Sequence, residues 1–121
     1  MNLDEFKRTV SSYCKSNGYP ATSFDLITCS CNHNLFMMFS DDTEGACEIA
    51  CTKCDKHISI EDSAQYMENG EQSICTCESK ALYIMVAKAY YQDSTDVRWV
   101  YVGGMCPDCN LSGVYVDWAE R

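Results

Sequence analysis

The feature that most constrains this chain is the order in which its cysteines recur. Cys29-Ser30-Cys31 leads into an apolar run at residues 35–39, an acidic turn from Asp41 to Gly45, and a second run that ends at Cys51-Thr52-Lys53-Cys54. The scheme then returns. Cys75-Thr76-Cys77 leads into an apolar run at residues 81–91, a polar turn at residues 92–96, and a run that ends at Cys106-Pro107-Asp108-Cys109. Cys-x-Cys, strand, turn, strand, Cys-x-x-Cys therefore occurs twice, and such self-similarity within one chain marks a duplicated unit.

The spacing has a geometric meaning. A β-hairpin starts its first strand beside the end of its second, so residues at its two open ends become neighbours. Nineteen residues separate Cys31 from Cys51 and twenty-eight separate Cys77 from Cys106, and either interval holds two strands and a turn. Each hairpin would thus bring two cysteine pairs together, as a tetrahedral four-thiolate metal site requires. Cys29, Cys31, Cys51 and Cys54 form one candidate site, and Cys75, Cys77, Cys106 and Cys109 the other.

Ten cysteines in 121 residues suit either a disulfide scaffold or a metal protein. The N-terminal residues lack the basic-then-apolar layout of an export signal, and no apolar run has the length that spans a bilayer. The expectation is a cytoplasmic protein without a membrane segment, in a reducing pool where stable disulfides are rare. Two Zn2+ ions are the expected cofactors.

Here the residues resemble the zinc-ribbon family, a β-hairpin clamped at its open end by paired cysteines. The resemblance covers residues 29–118 as two copies. It implies structural zinc and a small β unit around each site. The leading arm departs from the ribbon pattern, being Cys-x-Cys where a ribbon carries Cys-x-x-Cys, so the local geometry of that arm must differ.

The remaining pattern completes an α+β fold, mainly β. Leu3, Phe6, Val10, Tyr13 and Cys14 share one face of a 3.6-residue period, with Asn2 as N-cap and Gly18 at the close. Residues 1–20 read as this N-terminal helix, 24–69 as a first zinc-clamped antiparallel hairpin unit, and 70–121 as a second. Within the single domain, strands are expected at residues 24–29, 35–39, 46–51, 81–91, 97–105 and 114–118, with a short helix at 59–69.

Two cysteines fall outside the sets. Cys14 lies on the apolar face of the helix and reads as core. Cys47 shares a strand face with Ile49 and Cys51, which leaves two readings: core residue or substitute ligand. His33 and His57 stand near the cysteine pairs, but their counterparts in the second copy are Ser79 and Ser112, so both read as surface histidines.

Three function classes remain. The chain carries 18 Asp+Glu against 9 Lys+Arg, a formal −9, and eight thiolates with two Zn2+ would take it to −13. Such a field disfavours nucleic acid and attracts a basic protein partner. An acidic interaction module is the leading reading, and in size and charge it looks like the bacterial immunity proteins that neutralise cationic toxins. A nucleic-acid-binding ribbon would use Lys53, Lys56 and His57, or Arg98, Trp99 and Tyr101, for phosphate contact and base stacking. A thiol oxidoreductase would use Cys106 and Cys109, but its Cys-x-x-Cys opens a long helix and here a strand follows. No catalytic constellation is evident, and the chain is read as a non-enzyme.

Overall fold

The computed structural model describes residues 2–121. Its first element, α1 (Leu3–Ser16), starts where the Asn2 side chain accepts the Glu5 N–H at 3.0 Å, with Asp4 and Glu5 on the positive end of the dipole. It ends at Asn17, and Gly18 takes a left-handed φ of 89° that glycine adopts without strain. Phe6, Val10 and Cys14 form its buried face, as the period predicts.

Eight strands follow: β1 (Ser23–Leu26), β2 (Phe36–Asp41), β3 (Ala46–Cys51), β4 (His57–Ser59), β5 (Glu71–Ser73), β6 (Tyr83–Tyr90), β7 (Val97–Met105) and β8 (Ser112–Ala119). They build two antiparallel four-stranded sheets, ordered β1-β6-β7-β8 and β4-β3-β2-β5. A 3-10 segment, Ile60–Tyr66, joins β4 towards β5. It replaces the short helix expected at residues 59–69, because Glu61 and Asp62 take left-handed backbone angles that break any regular turn.

The two sheets face each other across one core, in which Phe36, Met38, Ile49 and Cys47 meet Ile84, Val86, Val102 and Trp118. The first sheet is buried on both faces. Its other side carries Met85, Ala87, Ala89, Tyr101 and Met105 against Phe6, Val10 and Cys14 of α1. Gly103 makes that contact close: a Cβ there would lie 2.7 Å from Val10 Cγ2 and 3.2 Å from Phe6 Cε1. Double burial is why β6 reads as a continuous apolar run rather than an alternating one.

The repeat is visible in the hydrogen bonds. Each half runs strand, Cys-x-Cys, hairpin, Cys-x-x-Cys, strand, and the hairpins β2–β3 and β6–β7 occupy the middle of their sheets. The first strand of each half, however, pairs with the other half. β1 lies against β6 with Ser23 opposite Lys88, and β5 lies against β2 with Met38 opposite Ser73. The halves therefore exchange strands. At their meeting point the equivalent residues Phe36 and Leu82 exchange both main-chain hydrogen bonds at 2.9 Å, which places a pseudo-twofold axis between them.

Asp41 ties the second sheet's turn to the next loop. Its carboxylate accepts the N–H groups of Asn69 at 2.9 Å, Glu68 at 3.0 Å and Glu44 at 3.2 Å. Those N–H groups of Asn69 and Glu68, reinforced by Glu44 and Thr43, hold its carboxyl below the usual carboxylate range. A folded-state pKa below the unfolded value stabilises the fold above about pH 4, and that stabilisation is lost as pH falls through the folded pKa. Asp41→Ala is expected to lower the melting temperature by roughly 5–10 °C at neutral pH. The gap from wild type should narrow on acidification; a gap independent of pH would show that the carboxylate is not the anchor.

Candidate metal centres

The chain passes between the two sheets twice. It leaves β1 for β2 through Cys29-x-Cys31, and β5 for β6 through Cys75-x-Cys77. Each crossing carries a Cys-x-Cys, and each meets a Cys-x-x-Cys at the far end of the hairpin it feeds. Cys51 closes β3 and Cys54 follows it in the turn to β4. Cys106 and Cys109 hold the equivalent places between β7 and β8.

The two arms fold differently, and both copies fold alike. In the Cys-x-x-Cys arm the Lys53 N–H points to Cys51 Sγ at 3.4 Å and the Asp55 N–H to Cys51 O at 3.0 Å. Asp108 and Asn110 do the same to Cys106 at 3.4 and 3.0 Å. The Cys-x-Cys arm is a tight turn closed from the residue beyond it: Asn32 N–H to Cys29 O at 2.8 Å, Glu78 N–H to Cys75 O at 2.7 Å. Asn32 and Glu78 accept positive φ angles of 71° and 76° to make it. The shorter arm thus forms its own turn, and it still aims both sulfurs at the opposite pair.

The structure brings together all eight cysteines singled out by spacing, in the same two groups of four. Within each group the sulfurs all lie within 4.8 Å of one another. The nearest contacts are Cys29–Cys54 at 3.5 Å and Cys31–Cys51 at 3.6 Å in one group, Cys75–Cys109 at 3.5 Å and Cys77–Cys106 at 3.4 Å in the other. Four sulfurs at about 2.3 Å from a tetrahedral ion stand about 3.8 Å apart, so each group fits one such ion. Every centre has a buried side (Cys29 and Cys51; Cys75 and Cys106) and an exposed one (Cys54; Cys77 and Cys109).

The crowding of thiols shows in their acidities. The Cys31 N–H pulls the Cys29 thiol down to about 6, against the effect of burial and with help from the neighbouring thiols. Burial opposes ionisation of Cys106, but the N–H groups of Cys109 and Asp108 and the adjacent thiols outweigh it and bring this thiol also to about 6. Cys54 and Cys77 are pushed up to about 12: N–H groups from Lys56 and Ser79 favour their thiolates, but hydrogen bonds with the neighbouring sulfurs, together with burial, outweigh them. A divalent cation takes the place of the remaining thiol protons, so loading either site expels protons and weakens as pH falls.

Cys14 is buried on the inner face of α1, and Cys47 is buried between the sheets, where its N–H meets Ser63 Oγ at 2.9 Å; neither belongs to a four-sulfur cluster. Thr52 Oγ1 donates to Leu35 O at 3.0 Å and accepts His33 Nε2 at 2.8 Å. His57 Nδ1 stands 2.6 Å from Glu48 Oε1. Both histidines are therefore held by other partners. Trp99 is stacked on Tyr19 with centroids 4.6 Å apart and donates to Asp117, while Tyr101 is fully buried and donates to Tyr19 O. Cys109 is followed by β8 rather than by a helix. No helix among the described residues is long and apolar enough to cross a membrane. No family model, curated protein or solved structure matches the chain.

Proposed function

We propose that this protein is a structural zinc protein that works as an acidic protein-interaction module for a basic partner. The observation that carries the zinc reading is the pair of four-sulfur clusters at the two sheet crossings, each of a size that suits Zn2+. Four thiolates saturate a tetrahedral ion and leave no position for a water or a substrate, so these sites serve architecture rather than catalysis. Thiol-rich sites of this kind suit a reducing compartment. The nucleic-acid reading loses support because Trp99 and Tyr101, the proposed stacking residues, are engaged within the fold.

The interaction reading rests on where the charge lies. Residues 36–73, which build the second sheet and its connections, hold nine acidic side chains against Lys53 and Lys56, a net −7 of the chain's −9. The layer formed by the first sheet and α1 is close to neutral by comparison. A polarised body of this kind orients a basic partner before contact and speeds association at low salt.

Elemental analysis of protein purified without added metal is expected to find two zinc ions per chain. One equivalent or none, with thiol titration revealing disulfides, would overturn the zinc reading. A basic partner pulled down at low salt and released as salt rises would support the second half of the proposal.

A further inference from the structure

The pseudo-twofold axis makes the outer faces of the two sheets equivalent, yet they are finished differently. On the first sheet Met85 and Met105 share a core with Phe6 and Val10 of α1, Tyr83 packs against that core, and Gly103 lies directly beneath Val10 and Phe6. The equivalent positions on the second sheet are Met37, Phe39, Ala50 and Glu48, as the registers Met37 opposite Ala50 and Phe39 opposite Glu48 show beside Tyr83 opposite Met105 and Met85 opposite Gly103. Ala50 is buried. Met37 and Phe39 are half-buried and belong to neither core, whereas Tyr83 and Met85 both do. The sole α-helix among the described residues contacts β7 and β8, so none lies across this second face. The 3-10 segment instead closes the edge of β3, where Ser63 takes both main-chain groups of Cys47.

We propose that the outer face of the second sheet is the docking surface for a basic amphipathic helix of a partner protein. The inference rests on the reading of the chain as an acidic interaction module and gives that module its contact surface. A helix is the occupant that the twin face already accepts. The chemistry of the seat says which helix. Apolar side chains would cover Met37 and Phe39, as Phe6 and Val10 cover Met85. Where Gly103 admits Val10, the second sheet presents the Glu48 carboxylate, which calls for a lysine or arginine at that point of the partner. His57 of β4 is the partner of that carboxylate in the free protein, at 2.6 Å, and a helix cation would compete with it or join it. Residues 36–73, which form this sheet together with its turns and connections, carry −7 of the chain's charge, and that field complements a basic helix and repels an acidic one.

The test uses the full zinc-loaded chain, 15N-labelled, and two synthetic 14-residue peptides with the same amphipathic helical pattern, one of Leu and Lys and the other of Leu and Glu. The Leu/Lys peptide is expected to shift amide signals of Met37, Phe39, Glu48 and Ala50 while leaving those of α1 in place. Phe39→Ser and Glu48→Lys should each weaken its binding about tenfold or more, and Leu3→Ser, at the exposed start of α1, should not change it. The signals of the unmodified protein locate the contact even where a variant folds poorly. Shifts centred on the turn at Asp42 and Glu44, or on α1, would overturn the proposed face and leave the basic-partner reading standing. Equal binding of the two peptides, or binding of neither, would overturn both.

Discussion

Cys106→Ser is expected to abolish the folded state of the whole chain rather than of its second half. Cys106 is fully buried at the end of β7, and its sulfur lies 3.4 Å from Cys77 Sγ. A hydroxyl there removes one of four thiolates and leaves the rest to repel one another. Structural zinc contributes on the order of 10 kcal/mol to folding in small peptides, against a total stability of about 5–15 kcal/mol for an ordinary domain. The loss spreads because β5 of the second half pairs with β2, and β1 of the first half pairs with β6. Circular dichroism and elemental analysis should therefore show an unfolded protein whose first zinc is weakly held as well. Cys14→Ser is the matched control. It places a hydroxyl in the α1 core at a cost of about 1–3 kcal/mol, and the variant should melt earlier but retain both ions. Wild-type melting of Cys106→Ser would mean that the second cluster does not hold the fold.

The next largest effect belongs to Phe36→Ala. Phe36 is fully buried in the core between the sheets and stands at the pseudo-twofold axis. Truncating a buried phenylalanine costs about 3–5 kcal/mol through lost transfer energy and the cavity left behind. For a domain of this size that is roughly a 15 °C fall in melting temperature. Zinc release and loss of far-ultraviolet signal should share one midpoint, because both crossings flank the damaged spot. Leu111→Ala, at a side chain that is 49% exposed, should stay within about 0.5 kcal/mol of wild type. Two separate transitions in Phe36→Ala would show that the halves are held together less tightly than their exchanged strands imply.

The candidate sites were legible because a metal site writes itself into sequence as ligand type and spacing. The eight cysteines needed no knowledge of the fold beyond the fact that a hairpin joins its own ends. The six longer strands were legible too, although β1 ends at Leu26 where the apolar run continues to Cys29, because the chain must turn away there to reach the other sheet. β4 and β5 were not legible. They are three-residue edge strands, His-Ile-Ser and Glu-Gln-Ser, whose order comes from β3 and β2 rather than from any pattern of their own. The exchange of strands was hidden for a related reason. Nothing in Ser23–Leu26 distinguishes a partner in β2 from one in β6, since pairing over such a separation is decided by the assembled core. Asp41 was read as turn chemistry, and its hold on Glu68 and Asn69 depends on a loop that the sequence does not bring near.

The crossed pairing also sets the order of events while the chain is being made. The segment from Cys29 to Cys54 can gather a metal ion early, because all four cysteines of its cluster lie on or beside its own hairpin. β1 cannot be completed then: its partner, β6, spans Tyr83–Tyr90 and emerges from the ribosome much later. During that interval Phe24 and Leu26, together with the inward side of β2 and β3, have no cover. A nascent chain stalled between the two cysteine sets would be an adhesive species, and the native structure closes only when the second hairpin arrives to accept the waiting strand.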